Sequence, residues 1–176
     1  MANRQALREL QSRLASRLQA ARDEGPSLVW LAAEAGGARL LFPLSQAGEI
    51  FPWTPVQPVP YAAPWFRGVA NLRGALAGVV DLARFTDGEV SGPPAGPLTA
   101  EASLLSLNAL LGVPCALVID RLLGLRGGEA FVAAEPRGEQ APAWHGAVYT
   151  DARQQRWQEI DLQALAAHPS FLSIAA

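Results

Sequence analysis

The run PWFRGVANLRGALAGVVDL, residues 64–82, constrains the fold more than any other stretch. Asn71 and Gly74 bracket Leu72-Arg73, and both residue types tolerate positive φ, so the chain reverses here. Leu76, Val79 and Val80 then read as a short buried strand. Asp81 ends that strand, where its carboxylate can cap a helix beginning at Leu82. A loop between strands with a capped helical turn behind it commits this region to a sheet.

The same texture runs from Ser27 onward. Residues 28–32 and 38–42 are short apolar runs joined by Gly36-Gly37, a hairpin pattern. Residues 44–50 read as one or two helical turns. Pro52, Pro55, Pro58, Pro60 and Pro64 restrict residues 51–64 to extended loop or edge strand. Residues 82–85 form a short helix, and 88–97 a linker rich in Gly and Pro. In the second half, residues 104–107 and 113–119 read as strands around the turn Leu110-Leu111-Gly112. Asp120 is expected to start a helical turn over 121–125, stopped by Gly127-Gly128. Residues 130–133 are extended, 135–142 are loop, and 147–150 with 156–160 make a last hairpin around Asp151-Ala152-Arg153. Asp161 opens a terminal helix that ends before Pro169.

One pattern recurs. VVDLARF, VIDRLLG and EIDLQAL each place strand residues before an Asp and a Leu-containing turn after it. Asp81, Asp120 and Asp161 therefore read as N-caps, each worth about 1 kcal/mol. The rival reading, a convergent carboxylate or metal cluster, lacks any His, Cys or Glu partner at ligand spacing.

Residues 1–25 stand apart as an N-terminal helical arm. Leu7, Leu10, Leu14 and Leu18 recur at helical spacing, with Arg4, Arg8, Arg13, Arg17 and Arg22 among them. Asn3 can cap the start, and Gly25-Pro26 stops the pattern. The arm either packs on its own domain or serves a partner. A stripe one Leu wide, without aromatic anchors, argues against a membrane-surface helix.

Composition removes several classes of function. The 176 residues carry a net charge of −2, which argues against a general nucleic-acid binder. All 14 basic residues are Arg, so no P-loop, Schiff-base or general-base lysine exists. The single Cys115 lies in an apolar run and reads as a buried thiol in a reducing compartment. No apolar stretch approaches the roughly 20 residues of a membrane span, so a cytoplasmic chain is expected. His145 and His168 are the only histidines, and no zinc, catalytic-triad, phosphate-loop or dinucleotide pattern is present. No cofactor is expected. The tryptophans, Trp30, Trp53, Trp65, Trp144 and Trp157, read as core residues first.

The run over residues 64–82 resembles the signature of the CheW-like domain, in which an N-L-R-G loop feeds a strand ending in V-D-L. The resemblance extends over about residues 27–167. RLLFPLSQAGEI is similar to the family's opening strand and short helix, CALVIDRLLGL to its G-x-x-V-D-x-V-x-G segment, and WHGAVYTDARQQRWQEIDLQAL to its closing hairpin and D-L pair. Ala77-Gly78 stands where the family commonly has Pro. The arm and the ending HPSFLSIAA look most like PilI-like adaptors of type IV pilus (twitching motility) chemosensory systems.

The resemblance implies a mainly β fold, with two packed five-stranded β-barrel lobes, short helices and partly exchanged strands. The CheW-like domain would span residues 26–168, with lobe one at about 36–87, lobe two at about 101–160 and a C-terminal tail at 169–176. It also implies a non-catalytic adaptor between a methyl-accepting chemoreceptor's cytoplasmic tip and a CheA-like histidine kinase, associated with membrane receptor arrays. The partner-binding residues would be Glu49, Arg67, Asn71, Arg73 and Gly74, with Glu49 ending the short helix and ion-paired to Arg73. A small-ligand-binding or enzymatic β-barrel domain is the competing class, and it demands a polar pocket with convergent titratable groups.

Overall fold

The structure, a computed structural model, describes residues 28–86 and 101–175; the N-terminal arm and the 88–97 linker lie outside the described residues. Eleven strands run in chain order: β1 Val29–Ala35, β2 Ala38–Pro43, β3 Ala47–Pro52, β4 Phe66–Leu72, β5 Ala75–Val80, β6 Ser103–Leu107, β7 Cys115–Ile119, β8 Arg121–Gly127, β9 Phe131–Glu135, β10 His145–Asp151 and β11 Arg156–Ile160. The short α-helices are α1 Leu82–Thr86, α2 Leu162–Ala166 and α3 Pro169–Leu172.

The strands form two mixed sheets, one of six strands in the order β8-β1-β2-β11-β10-β9 and one of five in the order β3-β6-β7-β5-β4. The larger sheet thus has six strands where five were expected, and the smaller has the expected five. The topology also redraws the division of the chain. The five-stranded sheet is continuous in sequence and sits between β2 and β8 of the six-stranded one, so the lobes are nested, not sequential. One parallel pair in each sheet, β2 with β11 and β5 with β7, makes this topology possible.

Alternation along the strands places the core. Leu31, Ala33, Leu40 and Phe42 of the larger sheet meet Leu105, Leu107, Leu117 and Ile119 of the smaller one in a shared central cluster. The opposite faces bury separate clusters: Trp30, Ala32, Leu41 and Trp157 in the larger sheet, and Ala70, Val79, Leu104 and Val118 in the smaller. Strands β1 and β7 are thus covered on both faces, which explains their unbroken apolar runs.

Three local expectations change. Residues 44–50 are a turn followed by β3, not a helix. Residues 121–125 are strand β8, paired with β1. Asp120 therefore caps no helix; its carboxylate accepts from Gly36 N–H at 2.7 Å and ties down the β1–β2 hairpin instead. The other two aspartates behave as read. Asp161 accepts from Gln163 and Ala164 N–H at the start of α2, and Asp81 accepts from Arg84 N–H at 3.4 Å in α1. Residues beyond 168 are integral to the fold. Phe171 is 3% exposed and stacks on Trp65 at 5.9 Å, while Ala175 bridges to Ala62.

Candidate partner-binding site

The N-L-R-G segment makes the tip of the β4–β5 hairpin. Leu72 pairs with Ala75, leaving Arg73-Gly74 as a two-residue loop. Both loop residues have positive φ, +51° and +90°, as a type I′ turn requires. Asn71 Oδ1 accepts from Gly74 N–H at 2.7 Å and closes the reversal. A side chain at Gly74 would meet nothing, so the backbone angle and not space selects glycine there.

Glu49 approaches this tip from the far edge of the same sheet. β3 and β4 are its two outer strands, yet an antiparallel bridge links Gln57, just past β3, to Val69 of β4. The sheet therefore curls until its edges meet. The β3–β6 register slips between Ala47 and Ile50, so Gly48 and Glu49 together face Ser106. Ser106 Oγ accepts from Glu49 N–H at 2.8 Å and donates to Glu49 O at 3.1 Å, replacing the interrupted ladder bonds. Bulges of this kind re-aim a side chain. A Cβ at Gly48 would collide with Ser106 and the backbone behind it, so glycine is required.

The result is an ion pair between Arg73 Nη1 and Glu49 Oε1 at 2.9 Å, with the two side chains 75% and 56% exposed. Arg73 also lies over the Phe51 ring, 5.7 Å from its centroid. An open, mainly apolar groove of about 380 Å³ runs beside the pair, lined by Glu49, Phe51, Leu76, Leu107, Val113 and Cys115 among others. Leu76 is exposed, and burial pushes the Cys115 thiol up to about 12.

The structure thus brings Glu49, Asn71, Arg73 and Gly74 together, and leaves Arg67 elsewhere. Arg67 sits at the base of the hairpin, six residues or roughly 20 Å along the strand direction from Arg73. Its guanidinium faces Asp81 at 3.4 Å and is only 25% exposed, with Arg84 on the same carboxylate. Ser106 and Phe51 escaped the sequence reading. A lone polar residue inside the apolar strand LLSL was the signal for Ser106; nothing singled out Phe51.

Two other titratable groups, His168 and Asp151, brace local structure. His168 Nδ1 accepts from Ser170 N–H and caps α3. Burial raises Asp151, but bonds from Gln155 N–H, the Trp157 indole and Arg153 N–H, with Arg126 nearby, outweigh it and hold the carboxyl below its usual range. Among the described residues, no three His, Cys, Asp or Glu side chains converge as metal ligands.

A family model described as CheW-like domain matches residues 30–170. The chain is 30% identical over 167 residues to Protein PilI of Pseudomonas aeruginosa, covering 93% of this chain and 89% of that one. Its fold is similar to that of the scaffolding protein TtCheW from Thermoanaerobacter tengcongensis, with a TM-score of 0.59 at 14% identity over 76% of this chain and 88% of that one. The chain belongs to the CheW-like domain family.

Proposed function

We propose that this member of the CheW-like domain family is a non-catalytic adaptor. It couples a methyl-accepting chemoreceptor to a CheA-like histidine kinase in a chemosensory array, and the array controls type IV pilus twitching motility. The observation that carries this reading is the exposed Arg73–Glu49 pair, pre-set on a hairpin tip beside an apolar groove. A guanidinium offers planar, two-pronged donation to a partner's carboxylates. The positive-φ turn and the Ser106-pinned bulge fix its position, so little order is lost on binding.

The competing enzymatic reading finds poor support in the same groove. Glu49 is already paired, and Cys115 is protonated near neutral pH. Function then rests on binding and geometry. The chain works at the cytoplasmic side of receptor arrays and is held there by its partners; no helix among the described residues is long and apolar enough to cross a membrane.

The test is capture of the full chain by the kinase and by the receptor tip, measured separately. The natural chain should bind both, and Arg73→Glu should weaken at least one by tenfold or more, equivalent to about 1.4 kcal/mol. Normal binding of the variant to both partners removes Arg73 and Glu49 from the site. Failure of the natural chain to bind either removes the adaptor reading.

A further inference from the structure

The segment that leaves β3 carries a pattern with no part in the site described above. Residues 52–58 read PWTPVQP, with proline at every third position. A proline ring fixes its own φ at about −65°. The residue before each proline, here Phe51, Thr54 and Gln57, is confined to extended backbone. Together these constraints describe a polyproline II path, which turns once in about three residues. Pro52, Pro55 and Pro58 therefore fall on one edge.

The exposures follow that path. All three prolines are exposed, while Phe51 and Val56 pack against the smaller sheet's own core. Gln57 exchanges both backbone hydrogen bonds with Val69 of β4, at 2.8 and 2.9 Å. The approach is so close that a Cβ on Gly68 would collide with the Gln57 carbonyl. The result is a ridge pinned to the sheet, roughly 19 Å long at the polyproline rise.

We infer that this ridge docks in an aromatic-lined groove, rimmed by a carboxylate, on the partner that Arg73 engages. The inference rests on the adaptor reading and specifies the chemistry of that partner's contact surface. Two arguments fix the occupant. A strand cannot add here through its backbone, because proline has no N–H and both backbone groups of Gln57 are already used. What the ridge offers is three rings in a conformation set before binding, which aromatic-lined grooves recognise at low entropic cost. The second argument is charge. The Arg73 guanidinium lies over the Phe51 ring, at the Pro52 end of the ridge. Glu49 engages its Nη1, which leaves further donors for a carboxylate on the groove's rim.

Variants of the full chain test this against the kinase and the receptor tip, measured separately. Pro55→Ala with Pro58→Ala should weaken, by about tenfold, the same partner that Arg73→Glu weakens. Pro60→Ala is the control. Pro60 is exposed in the same loop but lies off the edge, so its loss should change affinity by less than about twofold. NMR of the natural chain, isotope-labelled at proline, gives a reading that does not depend on how the variants fold. The ring-proton signals of Pro55 and Pro58 should move upfield when that partner is added, because an aromatic face shields protons stacked on it. Unmoved signals, equal weakening by Pro60→Ala, or weakening of a partner that Arg73→Glu spares would each overturn the inference and leave the adaptor reading in place. Failure of the natural chain to bind either partner removes that reading, and the inference with it.

Discussion

Arg73→Glu is the sharpest test of how the hairpin tip is built, because each contribution to its cost can be bounded. The natural pair is 75% and 56% exposed, and pairs that open to water contribute at most about 1 kcal/mol. The variant adds a second carboxylate beside Glu49, and two like charges about 4 Å apart in water repel by about 1 kcal/mol. The backbone contribution cancels, since Glu bears the same cost at a φ of +51° as Arg does. The total is at most about 2 kcal/mol. For a chain of this size that lowers Tm by about 4–8 °C. Differential scanning calorimetry at low salt measures it, and about 1 M salt should erase most of the loss. The exchanged pair Arg73→Glu with Glu49→Arg should recover most of it. Arg73→Gly should be close to neutral, because relief of the positive-φ cost offsets the lost pair. A drop well above 10 °C, or a loss that neither salt nor the exchanged pair restores, would refute the reasoning and make Arg73 a structural brace.

Three further outcomes are expected. Phe171→Ala should cost about 3–5 kcal/mol in denaturant unfolding, because Phe171 packs on both Trp65 and Phe85 within the central buried cluster; a loss under about 1 kcal/mol would show the C-terminal turn to be peripheral. Cys115 should resist thiol reagents at pH 8 until the chain unfolds, since burial raises it from 9.0 to about 12 and leaves roughly a thousandfold less thiolate; labelling of the native chain at the rate of a free thiol would contradict this. Burial, and then Arg137, push His145 below its ordinary 6.5. The stability it contributes is therefore full above pH 6.5 and is lost as pH falls through its folded value, so His145→Gln should flatten the decline of Tm on acidification below pH 6.5, and an unchanged slope would assign that decline to other groups.

Most strands were legible because their apolar runs are short and punctuated by Gly, Pro and Asp. The two misread segments fail for one reason: local pattern cannot see the neighbouring strand. Residues 44–50 contain Gln, Ala and Glu, which favour helix, but Gly48 fits against Ser106 and β6 fixes the segment as an edge strand. Residues 121–125 follow an Asp that looks like a cap. There Gly124 at φ +92° marks an irregularity in β8, opposite the register shift at Ala32 and Ala33, and the Asp is engaged with a distant hairpin. The Glu49–Arg73 pair was reachable only through the family resemblance. Its members lie 24 residues apart on strands at opposite edges of the sheet, and no spacing rule joins them. Arg67 illustrates the converse. Its place in the conspicuous run suggested an outward role, yet a buried carboxylate two strand-lengths on in sequence holds it at the base.

The nested topology separates the demands of folding from those of recognition. Residues that join the two sheets, such as Phe42, Leu107, Ile160 and Phe171, belong to one continuous cluster, so a cavity there weakens both lobes at once. Glu49 and Arg73 lie outside that cluster, at the rim of a sheet that closes around its own smaller core. Their positions are set by backbone devices: a type I′ turn, a bulge and a serine that substitutes for ladder bonds. Such devices constrain glycine and serine but leave the charged side chains free to vary. Changing the tip's charge should therefore alter which carboxylate-bearing surface it accepts at little cost to stability. Changing Gly48 or Ser106 should disturb the same surface by moving Glu49, with no charge altered. Ser106→Ala tests that step. It should leave the chain folded but displace the Glu49 backbone, and so weaken the same partner that Arg73→Glu weakens. Equal binding by Ser106→Ala would show that the bulge holds without its serine and that the pair's position is set by the turn alone.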